Sequence, residues 1–190
     1  MRSWMPSFGK GRCVFLNRTQ KLVYFSFFLT LAAVLGLLES LLPNPLPLPG
    51  VKLGLANIVT LLVLYVFGLK AGVSLALLRV IFVSLLTGTF LSVGFWLSLS
   101  GGIISALVMG VLLRHCPVFS IVGTSIAGAV MHNLGQLAAA SLLIQTSYIF
   151  FDLPILLLAG IPTGLITGYI AGLLLPSLGR RFGHKTACRK

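Results

Sequence analysis

Acidic side chains are nearly missing from this chain. Only Glu39 and Asp152 carry carboxylates, against fourteen Lys and Arg, and the formal net charge is +12. Two carboxylates cannot build the paired, magnesium-binding aspartate-rich motifs with which prenyl-transfer enzymes handle diphosphates. The Gly-x-x-x-x-Gly-Lys-[Ser/Thr] pattern is missing as well, which removes ATP hydrolysis by that route. No nucleophile–base pair suggests itself, so neither self-sufficient catalysis nor a resident cofactor is expected. Cysteine is scarce, and Cys13, Cys116 and Cys188 all fall in tail or connecting positions. On a cytoplasmic face these would not form a disulfide, and neither His115-Cys116 nor His184-x-x-x-Cys188 completes a zinc ligand set. Short alternating strands with one polar face do not occur either, which excludes a transmembrane β-barrel.

What the chain does contain is apolar sequence. Hydrophobic residues make up 57% of it and charged residues 8%. Long apolar runs recur from Leu22 to Pro176 with short polar breaks, the pattern of an all-α integral membrane protein. The basic excess could point to nucleic acid, but nearly all Lys and Arg lie in the two tails and the short connections. That is the positive-inside distribution of a membrane protein, and no nucleic-acid partner is expected.

Six spans are expected, at Leu22–Leu42, Val51–Leu69, Ala71–Thr87, Val93–Leu113, Val118–Thr146 and Ile155–Leu175. The first follows a basic segment but is long enough to span, and no small-residue cleavage site leads into a polar mature domain, so it reads as uncleaved. Pro43–Gly50 is a proline-rich connection that cannot continue a helix. Lys70 marks a tight turn, Gly88–Ser92 another, and Pro176 ends the last span. The fifth span is long enough to be tilted or broken at Gly123, Gly128 or Gly135. The organisation is thus a basic tail at 1–21, a transmembrane domain at 22–176 and a basic tail at 177–190. An even number of spans puts both tails on one side, and the charge bias makes that side cytoplasmic.

Small residues recur every fourth position in several spans: Ala32, Gly36 and Ser40; Gly94, Ser98, Gly102, Ala106 and Gly110; Gly160, Gly164, Gly168 and Gly172. In lipid such rows let backbones approach closely. Tight packing within the bundle accounts for most of them, and the row on the first span is the candidate for docking a partner.

The polar residues at membrane depth carry the functional signal. Arg79 sits about 12 Å from either end of its span, where a charge needs a partner or a ligand. Glu39 is the available partner, and the alternative is an anionic ligand held by the guanidinium. Lys52 lies at the boundary between Gly50 and Gly54, where it either snorkels to headgroups or reaches a cavity. Asn57 is deep enough for helix–helix bonding or a cavity wall. In the fifth span Thr124, Gly128, His132, Gln136 and Ala140 form one row at i+4 spacing. His132, Asn133 and Gln136 together are denser than packing requires, and read as the lining of a polar cavity. A proton relay through His132 would need Glu39 beside it.

Pro49-Gly-Val-Lys-Leu-Gly-Leu-Ala-Asn-Ile-Val-Thr60, Arg79, Ser98-Leu-Ser-Gly-Gly102 and Gly128-Ala-x-x-His-Asn-Leu-Gly-Gln136 occur in that order. Together they resemble the Gx transporter family, also catalogued as heptaprenyl diphosphate synthase component I. The resemblance covers about Leu22 to Leu175. It implies a compact six-helix bundle similar to the substrate-binding components of energy-coupling factor transporters, in the bacterial cytoplasmic membrane. Such components bind a small molecule near the outer face and rely on a separate coupling protein and paired ATPases. Their first helix docks the coupling protein through a small-x-x-x-small motif, which Ala32 and Gly36 could supply. The second family description implies instead a non-catalytic membrane subunit in heptaprenyl diphosphate or quinone synthesis. The expected binder admits a ligand beneath Pro43–Gly50. Asn57, His132, Asn133 and Gln136 would hydrogen-bond it, and Arg79 with Lys52 would attract any negative group.

Overall fold

The computed structural model describes residues 17–41, 54–115, 119–145 and 153–183. Six helices account for nearly all of them: α1 (Arg18–Leu41), α2 (Leu55–Phe67), α3 (Leu69–Leu86), α4 (Val93–His115), α5 (Ile121–Ile144) and α6 (Leu153–Gly183). Five are long and apolar enough to cross a membrane, and α2 is the shorter exception. The chain is an all-α, multi-pass membrane protein. Residues 1–16 and 184–190 of the basic tails, the Pro43–Gly50 connection, Lys52 and Asp152 lie outside the described residues, whereas the inner ends of both tails, expected at 1–21 and 177–190, belong to α1 and α6.

Consecutive helices run antiparallel, as their residue pairings show. Glu39 of α1 meets Leu55 of α2, while Phe28 meets Phe67. Arg79 of α3 faces Gly102 of α4, and Leu69 faces Gly110. Met109 of α4 packs on Gly128 of α5, and Asn133 of α5 on Gly160 of α6. One end of the bundle therefore collects Arg18, Lys21, Lys70 and Arg114, and the last turns of α6 with Arg180 and Arg181. The opposite end carries the start of α2 and the Thr87–Ser92 turn. Arg79 is the one described Lys or Arg that belongs to neither end.

Helix α2 is the axis. It touches all five other helices, whereas α1 touches only α2 and α3. Its residues 58–64 are buried without a break, as expected of a helix that is apolar all round. One core cluster joins Leu61 and Leu64 to Met109 of α4 and Leu175 of α6. A second joins Val59 and Val63 to Phe28 and Ala32 of α1 and Leu75 of α3. Lipid-side faces are left apolar, notably Phe27, Leu31, Val34 and Leu38 along α1.

Four sequence expectations about boundaries are corrected. The turn between α2 and α3 lies at Gly68, whose φ of 86 ends α2, and Lys70 belongs to the first turn of α3. Helix α2 starts at Leu55, after Gly54 with φ 73, instead of at Val51; residues 51–53 are not described. Helix α5 is continuous through Gly123, Gly128 and Gly135, so of the two alternatives expected there, tilt or a break, the break does not occur. Pro176 does not end α6, which contains both Pro162 and Pro176 and runs to Gly183. Within a bundle, neighbouring helices and hydroxyls compensate a proline's lost hydrogen bond, so a proline need not stop the helix. Near Pro162, Thr163 bonds back to Ala159 O and Gly160 O at 3.1 and 2.9 Å.

Several members of the small-residue rows serve internal packing. On α6 a Cβ at Gly164 would lie 2.7 Å from Ile126 Cα, and one at Gly168 would lie 2.8 Å from Val122 Cα. These contacts are backbone to backbone. The buried Ser125 and Thr167 hydroxyls then meet at 2.7 Å across the same seam. Between α4 and α5, Ser100 Oγ donates to Gly135 O at 3.1 Å.

Candidate functional site

Helix α2, at thirteen residues, is about 20 Å long, roughly 10 Å less than the hydrocarbon thickness. The space at its N-terminal end is a cavity of about 680 Å³. All six helices contribute to its wall. Gly54, Ala56 and Asn57 come from the start of α2, and Gly36–Leu41 positions from the end of α1. Arg79 to Thr87 positions come from α3, Gly94, Phe95 and Ser98 from α4, Ala129, His132 and Asn133 from α5, and Thr163 from α6.

Arg79 projects from α3 and is 8% exposed. The facing position on α4 is Gly102, where an added Cβ would sit at an ordinary contact distance of 3.6 Å from Nη2. Glu39 lines the same cavity. Glu39 also serves α2, since its Oε1 accepts a hydrogen bond from the backbone N–H of Leu55, the first residue of that helix. A carboxylate at that position satisfies one orphan amide and complements the positive end of the helix. Glu39 thereby joins α1 to α2 while it faces the cavity of Arg79.

The amides are oriented by their neighbours. Asn57 Nδ2 donates to Ser105 Oγ on α4 at 3.2 Å. Asn133 Nδ2 donates to Leu156 O on α6 at 2.8 Å. Gly160 makes that second bond possible, since a Cβ there would lie 2.9 Å from the same nitrogen. His132 is half-buried, and its carbonyl and ring edge press on Gly101 of α4. The i+4 row on α5 is internal as expected: Thr124, Gly128, Gln136 and Ala140 are all buried, and His132 opens to the cavity.

Of the residues expected at the site, Arg79, Glu39, Asn57, His132 and Asn133 come together around this one cavity. Lys52 lies outside the described residues. Gln136 does not line the cavity. One turn along α5 from His132, it is pressed against α4, and a Cβ at Gly101 would lie 2.7 Å from its Cγ. Its Oε1 is buried without a hydrogen-bond partner among the described residues. Gln136 is therefore a packing residue beside the site. The docking pair also turns inward: Ala32 is fully buried, and Gly36 lines the cavity close to Val83. The α1 face open to a partner is the opposite, apolar stripe.

Sequence reasoning missed the hydroxyl-bearing wall formed by Ser84, Thr87, Thr89, Ser92 and Thr163. Ser84 Oγ bonds to Val80 O at 2.7 Å and Thr87 Oγ1 to Val83 O at 2.9 Å. A helical Ser or Thr can satisfy itself in this way wherever it points, so its presence in a span carries little signal. Phe95, also in the wall, stacks edge-on with Trp96 and tilts against Phe90 at 5.1 Å beside the mouth.

Among the described residues, no three His, Cys, Asp or Glu side chains cluster. The described wall offers one guanidinium, one carboxylate, one imidazole, two amides and several hydroxyls on an otherwise apolar surface. Such an arrangement is suited to holding a small polar molecule. A family model described as heptaprenyl diphosphate synthase component I matches residues 28–174, which contain every described wall residue. No curated protein and no solved structure matches the chain.

Proposed function

Because the chain belongs to the heptaprenyl diphosphate synthase component I family, and because its bundle holds an open, largely apolar cavity with a few charged and polar side chains in its wall, we propose that it is a substrate-binding membrane subunit. It takes a small molecule into the cavity above α2 and acts as the binding component of a transporter energised by separate proteins. The observation that carries this reading is the 680 Å³ cavity with a buried Arg79 in its wall. The volume suits a small ligand, and a charge kept at membrane depth is a mark of function. Asn57, His132 and Asn133 orient the ligand by hydrogen bonds, Arg79 receives its negative group, and Lys52 attracts it at the entrance. The basic end of the bundle faces the cytoplasm under the positive-inside bias, so the cavity opens to the outside of a bacterial cytoplasmic membrane.

The family description favours a second reading, a non-catalytic subunit that assists heptaprenyl diphosphate synthesis. Co-purification from native membranes separates the two. Recovery of a coupling protein with ATPases supports the transporter. Recovery of a soluble prenyl synthase, whose activity falls when this subunit is removed, supports the second reading. For the cavity itself, a ligand raises the unfolding temperature of the detergent-purified protein by mass action. Arg79→Ala or His132→Ala weakens that response while the protein still inserts. Unchanged affinity in both variants would rule the site out.

A further inference from the structure

We propose that the rim formed by α1, α3 and α4 at the basic end of the bundle binds the phosphodiester headgroup of an anionic phospholipid, with Lys70 and Arg114 as paired cations and Lys21 beside them. This rim lies at the opposite end of the bundle from the cavity, and the proposal does not depend on what the cavity binds.

Helix packing sets the three positions side by side. A Cβ at Gly110 of α4 would meet the Leu69 side chain of α3. Arg114 stands one turn beyond Gly110 on the same face, and Lys70 follows Leu69. Phe25 of α1 and Ala71 of α3 pack against one core cluster, and Lys21 stands one turn before Phe25 on the same face. Helix α3 touches both α1 and α4, which do not touch each other, so Lys70 is the middle of the three. All three side chains are exposed. The chain supplies no acid at this end to neutralise them. Its side-chain carboxylates are Glu39, which meets Leu55 at the other end of the bundle, and Asp152, which immediately precedes the first residue of α6 in sequence. Residues 1–16, 116–118 and 184–190 contain neither Asp nor Glu. Cations gathered in this way repel one another, and an anion from outside the chain relieves that repulsion.

The depth of the cations selects the anion. Helix α3 has 18 residues and is about 27 Å long, close to the hydrocarbon thickness of a bilayer. Lys70, in its first turn, therefore lies at headgroup level. Arg114 is in the last turn of α4, and Lys21 is near the start of α1. Toward the bilayer centre the surface beside the paired cations is apolar and open. Val111 and Leu107 precede Arg114 at i−3 and i−7, and Leu77 follows Lys70 at i+7, each on its cation's face; all three are exposed. A phospholipid fits both parts, with its phosphodiester between the cations and its acyl chains along Leu77, Leu107 and Val111. An acidic protein segment would answer the charge and leave the apolar strips unused.

The test titrates the purified full-length protein, in an uncharged detergent, with dioleoylphosphatidylglycerol or with dioleoylphosphatidylcholine, which has the same acyl chains and no net charge. Bound lipid is counted by native mass spectrometry. The anionic lipid is expected to bind at least about fivefold tighter, the contribution of one cation near an anionic surface, and salt at about 0.5 M should abolish that preference in the parent protein. Lys70→Gln combined with Arg114→Gln should remove the preference. Lys10→Gln combined with Arg12→Gln, which deletes the same charge from the tail, should keep it. Lys70→Arg combined with Arg114→Lys should also keep it. A melting transition like the parent's in phosphatidylcholine establishes that each variant is folded. Equal binding of the two lipids by the parent, a preference insensitive to salt, or an equal loss in the rim and tail variants overturns the proposal. Displacement of the lipid by the same concentration of glycerol 3-phosphate overturns it in favour of a free-phosphate site, and tighter binding of polyglutamate overturns it in favour of an acidic protein.

Discussion

Gly164 and Gly172 stand in the same row of α6, two turns apart, and yet the structure separates them. At Gly164 an added methyl group meets Ile126 Cα at 2.7 Å and Ile126 N at 3.2 Å. Both atoms are backbone, so no side-chain rotation relieves the overlap. At Gly172 the same methyl group meets nothing within 4 Å. Replacing glycine by alanine inside a helix contributes about 0.5–1 kcal/mol through propensity, and that gain is common to both sites. Overpacking against a fixed wall costs about 1–3 kcal/mol, and it applies to Gly164 alone. Gly164→Ala should therefore be less stable than Gly172→Ala by about 1–3 kcal/mol. For a protein of this length that corresponds to a melting-temperature gap of roughly 2–12 °C. The assay is heat-induced unfolding of both variants and the parent in one detergent, followed by intrinsic fluorescence and by loss of the monodisperse elution peak. Equal melting temperatures for the two variants would refute the assignment of backbone contact to the α5–α6 seam. A destabilised Gly172→Ala would show instead that the whole row is packed, against a partner or another copy.

Other substitutions examine neighbouring contacts. Gly128→Ala meets Met109 Sδ and Cγ at 2.5 and 2.6 Å, but a flexible methionine can move, so the loss in thermal stability should stay below that of Gly164→Ala. Gly101→Ala places a methyl group 2.8 Å from His132 O and 2.7 Å from Gln136 Cγ. It should displace the His132 turn and weaken ligand-induced thermal stabilisation, an effect that titration of the same ligand on the parent and Gly172→Ala will isolate. Asn133→Ala removes the bond to Leu156 O and should cost about 0.6–1.7 kcal/mol, read as a lower melting temperature. Ser125→Ala should cost less, at or below about 0.6 kcal/mol, because Thr167 keeps its bond to Gly164 O at 3.2 Å.

Which parts of this architecture the sequence disclosed follows from the range of each signal. Apolar runs and charge placement are properties of whole segments, so the six helices and the basic end were legible. The row through His132 was legible for a similar reason: i+4 spacing on a continuous helix fixes a shared face without knowledge of the neighbours. Gln136 shows the limit of that argument. It shares the row with His132, but α4 closes over it at Gly101 and leaves only His132 open to the cavity. Periodicity gives a face, and the facing helix decides what that face touches. Ala32 and Gly36 fail for the same reason, since small-residue spacing does not say whether the approaching backbone belongs to this chain or to another. Pro176 was misread because a proline's effect depends on what surrounds the freed carbonyl.

The least legible feature is the one on which the site depends. Apolar residues dominate Val51 to Leu69, with Lys52 only at its start and Asn57 inside, and suggest a full-length span. The structure begins α2 at Leu55 and ends it at Phe67, with positive φ at Gly54 and Gly68 on either side. Glycine adopts such angles at little steric cost, and an apolar count does not register them. Glu39, sixteen residues before Leu55, then caps the start of the shortened helix. A long-range capping contact and a backbone angle together set how deep α2 begins, and that depth determines whether space exists above it. The cavity thus lies where the shortened central helix starts, with Gly54, Ala56 and Asn57 in its wall. A substitution such as Gly54→Val, which a β-branched residue accommodates poorly at positive φ, should perturb ligand binding without any change in the polar residues that make the contacts.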